Sequence, residues 1–115
     1  MAEQFPGNHE VVVGIGDSLV VGGDRTVRVG RNSSSTVQDN QTVTVKKDLD
    51  VTVSKNIVVA AGDSLTLVCG AASIVLKKDG TILIKGKDIT IDGSGKVSAK
   101  ASGDVVIKGS KIVQN

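Results

Sequence analysis

An eight-residue repeat sets the limits on what this chain is able to fold into. Val-x-Val-Gly occupies Val11–Gly14, Leu-x-Val-Gly returns at Leu19–Gly22, and Val-x-Val-Gly returns again at Val27–Gly30. Held without a shift, the frame puts Val11, Leu19, Val27, Ser35, Val43, Val51, Val59 and Leu67 at the first place of each octad. Val13, Val21, Val29, Val37, Val45, Val53, Ala61 and Cys69 take the third place. Fifteen of these sixteen residues are apolar, where the 39% apolar composition alone puts six there. Alternation with period two means a strand with one buried face. The sixth place holds Gly16, Asp24, Asn32, Asn40, Asp48, Asn56 and Ser64, all turn formers, so each strand is expected to be short and to bend there.

After Cys69 the frame slips by one residue. It resumes at Ile74/Leu76 and Ile82/Ile84, slips to Ile89/Ile91, and continues through Val97/Ala99 and Val105/Ile107 to Ile112 after a last slip. Turn places in this half fall at Asp79, Lys87, Ser94, Ser102 and Ser110. Residues 1–10 carry no repeat. Pro6-Gly7-Asn8 is a turn signal, and the segment reads as a poorly ordered lead-in to a single repeat domain over 11–115.

An octad offers two inward side chains, too few for one strand to hide its apolar face alone. Such strands stack in a solenoid or against other chains. Three octads close one turn of a triangle, and periodicity does not say whether they come from one chain or three. Two features favour three intertwined chains. No Asn ladder or aromatic stack marks every third octad, and neither end carries a distinct capping segment. The expected fold is therefore all-β, an intertwined trimeric triangular β-helix. Its core would comprise Val11, Val13, Leu19, Val21, Val27, Val29, Val43, Val45, Val51, Val53, Leu67, Ile74, Leu76, Ile82, Ile84, Ile89, Ile91, Val105 and Ile107. One Phe, no Tyr and no Trp suit such a narrow interior, which Val, Ile and Leu fill and a large ring overpacks. Strands stacked about 4.7 Å apart give fourteen octads a shaft on the order of 65 Å.

The repeats of residues 11–30 resemble those of phage central-spike proteins and of the VgrG spike proteins of type VI secretion. Asn8-His9 and Gly23-Asp24-Arg25-Thr26 are similar to VgrG segments. So are the stretch from Ser73 through Asp79-Gly80 to Ile82 and the following Lys87-Asp88-Ile89-Thr90-Ile91. The resemblance covers about residues 8–112. It implies an obligate homotrimer that is the membrane-piercing tip of a contractile injection machine and meets the target cell membrane transiently. It also implies assembly in the cytoplasm and delivery by the secretion apparatus. The larger part that docks such spikes on a tail tube is not found in these residues. A PAAR-repeat cap protein with its effectors is the implied partner, at a C-terminal tip formed by Ile112, Val113, Gln114 and Asn115. Some phage spikes bind an apical iron through a terminal His-x-His. The single histidine, His9, lies far from that end, so no such iron is expected.

Other classes find little support. A net charge of +2 without clustered Arg or stacking aromatics argues against nucleic acid. Cys69 is alone and on an inward place, a small core residue without a disulfide partner. The Asp residues recur at turn spacing instead of pairing for acid–base work, so no enzyme is expected. Gly-Asp pairs resemble calcium-binding solenoids, but an octad breaks the nonapeptide register those need. No cofactor is expected beyond adventitious ions inside the shaft, where polar Ser35 breaks the apolar row. No apolar run has membrane-spanning length, and the first ten residues lack a secretory leader's basic start and apolar run. The Lys-rich exterior after residue 76 reads as a solvated face. The competing function is a monomeric β-solenoid that binds a surface or ligand through one flat face. Thr42, Thr44 and Thr52 hint at one, but Thr does not recur at a fixed place.

Overall fold

A computed structural model describes residues 2–115. The described residues contain β-structure and no helix. Two units, Met1–Leu49 and Asp50–Asn115, divide the chain.

In the first unit the chain bends at a fixed interval. Bends fall at Pro6-Gly7, Gly14-Ile15, Gly22-Gly23, Gly30-Arg31, Gln38-Asp39 and Lys46-Lys47, eight residues apart. The second unit opens with two more in phase, at Ser54-Lys55 and Gly62-Asp63. These are the fourth and fifth places of the octad, not the sixth. The turn formers of the sixth place instead follow each bend and begin the next straight segment. The physical reason lies in the backbone. Among the described residues positive φ occurs only at Gly70 and Gly80, so these bends need no left-handed residue, and Gln38, Lys46 and Ser54 take the place that Gly14, Gly22, Gly30 and Gly62 take elsewhere. The interval also extends upstream, because Pro6-Gly7 lies one period before Gly14-Ile15.

Exposure repeats with the bends. The apolar residues of the first place are 66–70% exposed, from Val11 to Val59, and the third-place valines 43–49%. The second-place valines Val12 and Val20 are 82% and 89% exposed. Each octad therefore has the same local conformation, whatever its sequence.

The second unit contains three strands: β1 (Ser64–Cys69), β2 (Ala72–Lys77) and β3 (Ile82–Lys85). They form an antiparallel sheet in the order β1-β2-β3. Residues 64–85 are thus a meander within one chain and not successive octad rungs separated by slips. The slip after Cys69 is a hairpin loop. Cys69 pairs with Ala72, which leaves Gly70-Ala71 as a two-residue turn with Gly70 at φ 56. A glycine in the left-handed region at the first loop position suits the right-handed twist of the flanking strands.

The second loop closes differently. Gly80 N–H donates to the Lys77 carbonyl at 3.0 Å and Lys77 N–H to the Thr81 carbonyl at 2.9 Å. Gly80, at φ 94, completes a three-residue loop of the turn-plus-left-handed-residue kind. Thr81 N–H donates to Asp79 Oδ1 at 3.0 Å. That backbone bond, followed by one from the Thr81 hydroxyl, holds the Asp79 carboxyl below its ordinary value of 3.8. A lowered folded-state value means the loop gains stability from Asp79 above pH 3.8 and loses it as the pH falls through the lowered value. The Thr81 amide resonance is expected to titrate with a midpoint below 3.8. Asp79→Asn should abolish that titration while keeping the loop, since the amide oxygen still accepts the bond. An unchanged titration in that variant would place the charge elsewhere.

Beyond β3 the bends resume at Lys87-Asp88, Ser94-Gly95, Ser102-Gly103 and Ser110. They fall on the turn places read from the sequence, including the seven-residue interval from Lys87 to Ser94. At Gly93 the chain folds back tightly. A Cβ there would lie 3.1 Å from the Lys96 carbonyl oxygen and 2.9 Å from a Val97 methyl carbon, so only glycine fits without a shift.

Candidate functional site: an uncovered apolar face

The sheet register fixes which residues share a face. Leu65 pairs with Leu76, Leu67 with Ile74 and Cys69 with Ala72. Ile74 pairs with Ile84 and Leu76 with Ile82. Cross-strand partners point the same way and alternate residues share a side. One face of the meander is therefore wholly apolar, made of Leu65, Leu67, Cys69, Ala72, Ile74, Leu76, Ile82 and Ile84. The opposite face mixes Ser64, Thr66, Ser73, Lys77 and Lys85 with Val68, Val75 and Leu83. Leu67, Ile74 and Ile84 line a recess of about 500 Å³ that continues to Ile89.

Among the described residues none buries this face: Leu65 is half-buried and its other members are exposed. No described residue is buried. Ile74 and Leu76, at the centre of the sheet, are each 40% exposed. The remaining core candidates, Ile89, Ile91, Val105 and Ile107, are exposed, as are Ile112 and Val113 near the C-terminus. Gln114 and Asn115 are exposed too. The accessible surface is 12799 Å². A folded monomer of this mass shows about 5,900 Å². The excess exceeds what either face of the small sheet accounts for, and it includes the repeated first- and third-place residues.

The backbone is equally incomplete. Among the described residues, backbone–backbone hydrogen bonds are confined to the stretch from Asp63 to Lys85. Lys78 N–H to the Asp63 carbonyl, at 3.0 Å, marks one limit. Elsewhere the chain presents two open edges, and such edges are templates for another strand.

The register also exposes a residue that frame reading missed. β1 covers places six to eight of one octad and one to three of the next. Leu65, at place seven, lies on the same face as Leu67 and Cys69. By phase, each straight segment carries three residues on that face, not two. The seventh-place column runs His9, Asp17, Arg25, Ser33, Gln41, Leu49, Ile57, Leu65. Its polar start hid it from a search for apolar alternation, although Leu49, Ile57 and Leu65 carried the signal. At the upstream end the Phe5 and His9 rings stack, with centroids 3.9 Å apart and planes 3° from parallel.

No catalytic constellation emerges. Among the described residues no three His, Cys, Asp or Glu side chains come together in a way that holds a metal ion. Cys69 is exposed and free. Among the described residues no helix is long and apolar enough to cross a membrane. No protein-family model matches this chain, and no curated protein matches it.

Proposed function

We propose that three copies of this chain intertwine into a triangular β-helical shaft, the membrane-piercing tip of a contractile injection machine of the type VI, VgrG-like kind. The observation that carries the reading is the pairing of two deficits with one period. The apolar face recurs every eight residues without cover, and the same segments lack backbone partners within the chain. Neighbouring copies supply both at once, because strands from other chains stacked above and below satisfy the backbone while their first- and third-place residues close the interior.

The work of such a shaft is mechanical. Three interwound chains resist local opening, since no strand leaves without disturbing two others, and the barrier to unfolding is high. The reading assigns the chain no catalysis and no resident cofactor. It places a PAAR-repeat cap at Ile112–Asn115, assembly in the cytoplasm, and delivery by the machine itself.

The competing monomeric solenoid has a specific difficulty. Its rungs pair with one another inside one chain, and the described residues outside Asp63–Lys85 make no such bonds.

Sedimentation of the purified protein tests the reading. A species near three times 11.7 kDa is expected, persisting in mild detergent; a species of 11.7 kDa overturns it. Retention of a PAAR-repeat protein by the full chain, lost on removal of residues 112–115, is the expected result for the cap. Equal retention by both forms would move the cap elsewhere.

A further inference from the structure

We infer that Asp17 and Arg25 set the register in which copies of this chain assemble. The inference rests on the trimeric reading above. Its starting point is a weakness of that reading. The first and third places hold near-identical residues in octad after octad, from Val11/Val13 to Val51/Val53, with uncharged Ser35 the one polar exception. Sliding one copy past another by eight residues replaces Val with Val and Leu with Val. Apolar contact therefore barely distinguishes the aligned assembly from a slipped one, and a repetitive strand with a degenerate pattern is prone to slippage.

The seventh place breaks the degeneracy. In β1 the pairing puts this place on the apolar face. The same phase puts Asp17 beside Leu19 and Val21, and Arg25 beside Val27 and Val29. The two carry opposite charge one period apart, on successive segments. Where consecutive segments of different copies stack on one face, the Asp17 of one copy meets the Arg25 of the next. A slip of one octad sets Asp17 against Ser33 and Arg25 against Gln41 in one direction, or Asp17 against Asp17 and Arg25 against Arg25 in the other, and leaves a carboxylate or guanidinium without its partner inside the shaft. An unpaired inward charge is heavily penalised, while a paired one adds little to stability. The pair is thus a device for specificity. A polar residue at a single core position of a coiled coil works in the same way. Downstream the column turns to Leu49, Ile57 and Leu65, so the charged pair of the first octads is what rejects slipped assemblies that the apolar rows admit.

The experiment uses the full chain, unfolded in denaturant and reassembled, with limited proteolysis of the product. Slipped copies leave overhanging ends, so misregister appears as resistant cores whose lengths differ in eight-residue steps. Wild type is expected to give one core length. Asp17→Leu/Arg25→Leu should assemble to the same mass, with equal or higher thermal stability, but give a ladder of cores. The reversal Asp17→Arg/Arg25→Asp should restore a single length, and either reversal alone should deplete the assembled fraction several-fold. A single core length from the Leu/Leu variant at the wild-type mass overturns the register role and leaves the trimer standing. A wild-type species of 11.7 kDa overturns both.

Discussion

Replacing Val29 and Val45 together by Asp is expected to drop the particle from about three chains to one. Both valines sit at the third place, the least exposed of the repeated positions, at 49% and 47%. Full burial of a valine contributes about 1.5–3 kcal/mol. Each substitution removes that contribution and buries a carboxylate, at a cost of several kcal/mol per ion. A threefold assembly suffers both penalties three times at each of two levels, which exceeds the net stability of about 5–15 kcal/mol typical of a folded protein. Sedimentation at neutral pH reads the outcome. The control is Val12→Asp, at the second place, where exposure is 82% and the particle should keep its mass. If the Val29/Val45 variant keeps the mass of the parent, those places do not face the interior and the frame is wrong.

Backbone amide exchange should show the second large effect. From Val11 to Val59 the amides find no backbone partner within the chain. In an isolated copy they would exchange at nearly the rate of an unfolded peptide. In the assembled shaft they bond to strands of neighbouring copies and are expected to exchange about 10³-fold more slowly or better, since core amides exchange only through costly opening. The comparison lies within one sample: Ser64–Lys85, bonded inside the chain, is the reference. Protection confined to that reference stretch, with residues 11–59 unprotected, would remove the case for stacked copies.

Much of this was legible in the residues. The octad follows from Val-x-Val-Gly spacing, and the bends after Lys85 fall at Lys87, Ser94, Ser102 and Ser110, where Ser and Gly mark them. Two things were hidden. In the first half the turn formers of the sixth place stand just after the bend and not in it; the bend begins at the fourth place, on the glycine of Val-x-Val-Gly at Gly14, Gly22, Gly30 and Gly62 and on Gln38, Lys46 and Ser54 between them, since no positive φ is required there. A one-residue slip of an apolar frame also has two structural meanings, a shortened bend or a hairpin, and alternation is preserved in both. The left-handed glycines decide between them. Gly70 closes the hairpin at the slip after Cys69, where the slip demanded no glycine, and Gly80 closes the second one beside Asp79, where the frame ran without a slip and placed a turn. The third residue on the apolar face stayed out of sight because Asp17, Arg25, Ser33 and Gln41 are polar. At the candidate tip the sequence offers only four residues that break the period, and their exposure in one chain adds no geometry to them.

The meander has a meaning beyond its face. Among the described residues it is the one stretch that closes its hydrogen bonds with near neighbours in sequence, through loops of two and three residues. Local contacts form fast, and contacts between chains wait on collision. On the proposed trimeric reading, Ser64–Lys85 would therefore be the seed of the particle. Each copy would prepare an apolar platform alone, three platforms would meet, and the octads on either side would zip outward from that meeting point. The order of events would run from the interior of the chain toward both ends, at a rate set first by the hairpins and then by concentration. Amide exchange pulsed during reassembly reads that order, with protection at Leu67 and Ile74 preceding protection at Val13.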